Sequence, residues 1–136
     1  MAEAHLSLLL EMIALLERYA KVVRRRDLDA DRETWLKVKA ALEVAAQCAI
    51  DAALDVVARR GLGTPQTYRD AFAVLARAGI IDGELRDALQ SWAGMRNVLV
   101  HMYTSLDLDQ VHAALAKTTS LRAFHAVMAR ELASGS

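Results

Sequence analysis

Little in this chain forces it to turn. Its 136 residues include one proline and six glycines. That is too few turn-formers for a β-sandwich of many short strands, so long helices are the expected elements. The one cysteine, Cys48, cannot close an intramolecular disulfide and lacks the spaced partners of a zinc site. It suits a reducing cytoplasm and the role of a small core residue. Charge of one sign is also missing, because 17 Lys plus Arg balance 17 Asp plus Glu. A bulk positive field is thereby excluded, and any RNA or DNA binding must come from a local patch. Nor is there a long hydrophobic run. Leu6 to Leu16 is apolar but short, Glu11 interrupts it, and no Lys or Arg precedes it as a secretory signal requires. A cytoplasmic protein with no membrane span is expected.

What is present describes a packed chain. Hydrophobic residues make up 54% and charged residues 25%, a balance that excludes a disordered polypeptide. The length suits one domain over residues 1–136, with 134–136 as a frayed tail. A domain of this size buries roughly two thirds of the surface of its unfolded chain, so it needs no disulfide or metal staple.

Periodicity predicts an all-α, up-and-down bundle of about five helices. The first runs from Ala4 to Arg26, with Leu6, Leu9, Leu10, Ile13, Leu16, Ala20 and Val23 at three- and four-residue intervals. Leu8, Met12, Leu15 and Val22 widen that stripe enough to face neighbours on two sides, one of which could be a second subunit. An acidic turn, Asp27 to Asp31, follows, and Asp31 or Thr34 can cap the next helix. That helix reaches Arg60 on a stripe of Trp35, Val38, Leu42, Ala45, Ala49, Ala52 and Val56, and Gly61, Gly63 and Pro65 stop it. A third covers Thr67 to Ala78, with Phe72 and Leu75 inward and Gly79 as its stop. Asp82 caps a fourth containing Leu85, Leu89, Trp92 and Leu99, and Asp107 caps a last one from Leu108 to Leu132.

Chemistry concentrates at the end of the fourth helix. Arg96-Asn97-Val98-Leu99-Val100-His101-Met102-Tyr103 gathers a fixed cation, an amide, an imidazole and a phenol within one short stretch. On an ideal helix Arg96 and His101 point about 140° apart, whereas Arg96 and Tyr103 share a face. Asn97, one turn before His101, can hydrogen-bond and orient its imidazole. A site using both Arg96 and His101 therefore needs the helix to end or distort near His101, or a second copy of the motif across a dimer axis.

Such a set suits phosphoryl transfer on RNA. A histidine can take the proton of a ribose 2′-hydroxyl, whose alkoxide then attacks the adjacent phosphate. An arginine holds that phosphate and offsets charge developing on its oxygens. The nucleophile belongs to the substrate, so no metal or cofactor is required, and DNA is not a substrate.

Other residues read as structural. His5, His112 and His125 sit in separate segments without partners at ligand spacing, which argues against a metal site. Gly61-Leu62-Gly63 follows a helix and lacks a phosphate loop's lysine, so it reads as a helix stop. Arg24-Arg25-Arg26 suits a solvated helix C-terminus, with contact to a backbone phosphate as the alternative. Glu43, Gln47, Asp51 and Asp55 form a polar row on the expected solvent face, from which Asp51 could instead approach Arg96.

Arg96-x4-His101-x-Tyr103 resembles the R-x4-H-x-Y motif of the HepT-like toxins, a branch of the HEPN superfamily of helical ribonucleases. The similarity extends from Ala45 to Tyr103, through Cys48-Ala49-Ile50-Asp51, Arg60-Gly61-Leu62-Gly63, Pro65-Gln66-Thr67-Tyr68-Arg69-Asp70-Ala71-Phe72 and Gly79-Ile80-Ile81, and on to Asp107-Leu108-Asp109. The resemblance implies a homodimeric toxin whose two motifs face each other in one cleft and cleave RNA without metal. Arg96 would bind and stabilise the phosphate, His101 would be the general base or acid, and Asn97 would support the site. It also implies a minimal nucleotidyltransferase antitoxin as partner, which transfers AMP from ATP to Tyr103 and so silences the toxin. Where family members often carry charged residues beside the motif, this chain has Val98 and Met102. The alternative is a non-catalytic HEPN module that binds nucleotide or RNA in support of a nucleotidyltransferase.

Overall fold

The computed structural model describes residues 2–101 and 104–134. Among them the chain is all-helical, with seven helices: α1 (Ala2–Val22), α2 (Asp27–Ala30), α3 (Arg32–Arg59), α4 (Tyr68–Arg77), α5 (Gly83–His101), α6 (Leu108–Ala114) and α7 (Thr118–Ser134). None is long and apolar enough to cross a membrane.

The long α3 is the axis of the bundle, packed against α1, α2, α4, α5 and α7. Its predicted stripe explains this position. Val38, Leu42, Ala45, Ala49, Ala52 and Val56 are all buried, and the alanines let neighbouring backbones approach closely. Asp31 caps α3 by accepting from the Glu33 amide at 3.1 Å, and Thr34, the other candidate cap, donates its hydroxyl to Asp31. At the far end Gly61 takes φ +65°, and the Leu62 amide donates back to the Val57 carbonyl at 3.0 Å. This is the left-handed stop that glycine permits. Gly79 (φ +76°) ends α4 in the same way, with the Ile80 amide on the Leu75 carbonyl at 3.0 Å.

Side-chain ties set the helix directions. His5, near the start of α1, lies against Asp51 and Asp55 late in α3, so these two helices run antiparallel. Glu17 receives a two-pronged bond from Arg122, Nε to Oε2 at 2.7 Å and Nη2 to Oε1 at 2.6 Å, which joins late α1 to early α7. The Arg122 guanidinium holds the Glu17 carboxyl below the usual carboxylate range. Arg60 pairs with Glu131, bringing the ends of α3 and α7 together. Phe72 of α4 and Phe124 of α7 meet edge to face, 5.5 Å apart at 72°, with both residues fully buried.

Three features depart from the sequence expectations. First, α1 stops at Val22 rather than Arg26. Arg24 to Arg26 lie in the turn, where the Arg24 amide donates to Asp27 at 2.8 Å and Arg25 bonds both Asp29 and Asp109. The acidic segment is itself one turn of helix, α2, which buries Leu28. Leu10 and Ala20, assigned to the inward stripe, are exposed. Second, the expected last helix is two, α6 and α7. Between them the amides of Leu115, Ala116 and Lys117 bond three residues back, a tightened turn that re-aims the chain. The Thr118 and Ser120 hydroxyls bond Glu17 and the Lys117 carbonyl there, the side-chain competition that breaks helices. Five predicted helices thus become seven. Third, α7 continues through Ser134, which was expected in the tail.

Candidate active site

Asp82 starts α5 as expected, its carboxylate accepting from the Leu85 amide at 2.8 Å. From there Leu89, Trp92, Ala93 and Leu99 are buried. Arg96, four residues after Trp92 and three before Leu99, continues this stripe towards the end of the helix, whereas Asn97 and His101 face away from the core. The helix then runs unbroken through His101. Asn97 and His101 are exposed and Arg96 is half-buried. Tyr103, together with Met102, lies outside the described residues.

Among the described residues two interactions hold the Arg96 guanidinium. Its Cζ stands 5.4 Å from the centroid of the Tyr68 ring, a cation–π arrangement. Its Nη1 donates to Asn97 Oδ1 at 3.3 Å. Asn97 was expected to orient His101, yet its amide oxygen turns to Arg96. Among the described residues Arg96 has no carboxylate within ion-pair distance. A guanidinium steadied by an aromatic face and a neutral amide keeps its charge uncompensated, which is what an anion-binding group needs.

The start of α4 builds the ground beside Arg96. Thr67 caps α4 by accepting from the Asp70 amide at 3.0 Å, which places Tyr68 and Arg69 on its first turn. Gln90 Nε2 donates to the Arg69 carbonyl at 3.0 Å and ties that turn to α5. The Arg69 guanidinium lies over Gly94 so closely that a Cβ there would stand 2.7 Å from its Nη2. Reading the sequence alone did not single out Tyr68, Arg69 or Gly94 as neighbours of Arg96. The available signal was Gly94 itself, a glycine inside a strongly helical segment, which marks a close approach by something else.

Asp51 does not serve Arg96. It accepts from Gln47 Nε2 at 2.9 Å, and with Asp55 it flanks His5, at 3.7 Å from Nε2 and 3.3 Å from Nδ1. The polar row of α3 is therefore partly covered by α1. Nearby Cys48 is buried, and burial, with a smaller push from the Asp51 carboxylate, raises its thiol to about 11. Such a thiol is inert at neutral pH. His112 is engaged by the Val23 carbonyl at 2.9 Å. An open groove of about 610 Å³ runs between α5 and the start of α7, lined by Leu85, Trp92, Met95, Lys117 and Ser120 among others, but not by Arg96, Asn97 or His101.

The family model described as ribonuclease HepT-like matches residues 9–129. The chain belongs to this family. Over 70 residues it is 39% identical to the mRNA nuclease HepT of Shewanella oneidensis. That stretch is 52% of this chain and 53% of the relative, so the match spans about half of the curated relative's length. Among solved structures, this HepT-like chain is similar to the tri-AMPylated Shewanella oneidensis HEPN toxin in complex with MNT antitoxin. The TM-score is 0.75 at 27% identity, covering 90% of this chain and 97% of that one. It is also similar to YutE, a cytosolic protein of unknown function from Bacillus subtilis, with TM-score 0.83 at 18% identity, covering 98% and 89%. The second likeness is one of fold alone.

Proposed function

We propose that this chain is a single-domain toxin ribonuclease that cleaves RNA at a site completed by two copies of itself, without a metal ion. The observation that carries the reading is the Arg96 environment. A guanidinium with no carboxylate partner among the described residues rests on Tyr68 five residues before an exposed His101, in a chain of the HepT-like family. The nuclease activity named for the 39% identical Shewanella oneidensis relative supports it.

In this reading His101 removes the proton from a ribose 2′-hydroxyl. The oxygen attacks the adjacent phosphorus, the bond from phosphorus to the 5′-oxygen breaks, and that oxygen takes up a proton. The products are a 2′,3′-cyclic phosphate and a 5′-hydroxyl. Arg96 holds the non-bridging oxygens as charge builds on them, from a guanidinium that no carboxylate of the described residues neutralises. The helix is continuous through both residues, so their side chains diverge by about 140°. A twofold partner supplies the missing group at each phosphate. Asn97 restrains the Arg96 side chain.

The partner in this reading is a minimal nucleotidyltransferase antitoxin that silences the toxin by AMPylating Tyr103. Support comes from the 27% identical toxin that is tri-AMPylated in its MNT complex. Co-expression with such a partner should raise the intact mass by one or more AMP units, and Tyr103→Phe should abolish the gain. An unchanged mass would remove this part alone.

The test of the nuclease reading is cleavage of RNA in EDTA by unmodified protein. His101→Ala should lower turnover by about 10²- to 10⁴-fold and Arg96→Ala comparably, with helical content unchanged. Absence of wild-type cleavage, or its survival in both variants, would contradict the reading. Tight nucleotide binding without turnover would assign a non-catalytic module instead.

A further inference from the structure

We infer that Arg69 is a second phosphate-binding arginine, which holds the RNA backbone beside the phosphate that Arg96 engages. The inference rests on the ribonuclease reading for the identity of the ligand and on independent geometry for the residue.

Three observations carry it. Arg69 is exposed, and among the described residues its guanidinium has no carboxylate partner, although Asp70 beside it faces Arg77 at 3.9 Å. The turn that carries it is nonetheless defined. Gln90 holds its carbonyl, and its guanidinium lies on Gly94, where an added Cβ would stand 2.7 Å from Nη2. Finally, it is next in sequence to Tyr68, whose ring carries Arg96, while Gly94 is two residues before Arg96 on α5. Two forked cations, neither with a carboxylate partner among the described residues, therefore lie where α4 packs on α5, Arg96 on Tyr68 and Arg69 on Gly94, in a chain with no net charge. A structural arginine at such a junction would be expected to reach a carboxylate or a helix C-terminus. This one lies over glycine backbone with its donors open to a ligand. Forked donors match the paired non-bridging oxygens of a phosphodiester. Because backbone phosphates carry no sequence information, Arg69 contributes affinity that is uniform across RNA sequences.

The test uses a short single-stranded RNA methylated at every 2′-oxygen, which lacks the nucleophile and so reports binding without cleavage. Arg69→Gln should weaken binding about ten-fold and reduce the slope of log affinity against log salt by about 0.7, the contribution of one phosphate contact. Arg69→Lys should recover the salt slope but only part of the affinity. On cleavable RNA, Arg69→Gln should raise KM far more than it lowers kcat, and the thermal midpoint should not move. Unchanged affinity and salt slope in Arg69→Gln, with wild type cleaving RNA, would overturn the role of Arg69 and leave the nuclease reading intact. RNA binding that depends on Arg69 in a wild type that never cleaves would do the reverse. A wild type that neither binds nor cleaves RNA would overturn both.

Discussion

Arg96 and His101 leave α5 about 140° apart around its axis, because the helix runs without a break through both. Of the two ways in which a single phosphate could meet both groups, a distortion of the helix between the two residues is absent and α5 ends at His101; the proposed reading takes the other way, a second chain. In the proposed reading, two copies of one small cationic site, brought together, would let a chain with no net charge act on RNA without a basic surface.

Gly94 separates stability from function. Ala in its place is the better helix former by about 1 kcal/mol, and the atom that its Cβ would strike is the mobile end of Arg69. Gly94→Ala should thus fold with equal or higher stability in urea, while its affinity for RNA falls as it does in Arg69→Gln. Combined with Arg69→Gln it should add little, since both changes remove one contact. Full additivity in that cycle would separate the two residues.

The core prediction concerns Phe124. It is fully buried and edge-on to Phe72, so Phe124→Ala should cost about 3–5 kcal/mol, a large share of a typical domain's stability. Urea unfolding should show the loss as a lower midpoint.

Glu17 provides the pH test. Its carboxyl is held below the ordinary range, chiefly by hydrogen bonds from Arg122. A depressed folded-state pKa contributes stability that is present above the unfolded value and lost as pH falls through the folded one. Wild type should therefore exceed Glu17→Gln in urea midpoint at pH 7, and the gap should close in acid, below the folded-state pKa of Glu17. A gap independent of pH would mean that the Arg122 contact is not what matters.

Much of the architecture was legible because it is local. Apolar spacing marked α3, α4 and α5, and Asp31, Thr67, Asp82 and Asp107 all cap where short polar residues before apolar runs should. The break between α6 and α7 was not legible, because Val111, Ala114, Leu115 and Leu121 keep helical spacing across it and are all buried. Only the hydroxyl cluster at Thr118 to Ser120 betrays the turn. The surroundings of Arg96 were hidden for a different reason. Tyr68 reaches it, and Arg69 reaches Gly94, through the packing of α4 on α5, and Asp51 is drawn away from it by His5 at the far end of the chain. No periodicity within one helix encodes such pairings.

The most direct measurement is complementation between two inactive variants. Arg96→Ala and His101→Ala proteins, each unable to cleave RNA alone, are denatured together and refolded so that subunits exchange. If one chain's arginine works with the other's histidine, half of the dimers are mixed and each holds one of two intact pairs. Cleavage in EDTA should then return to about a quarter of the wild-type rate. Mixed dimers seen by native mass spectrometry but as inactive as their parents, or a protein that forms no dimer at all, would contradict the account.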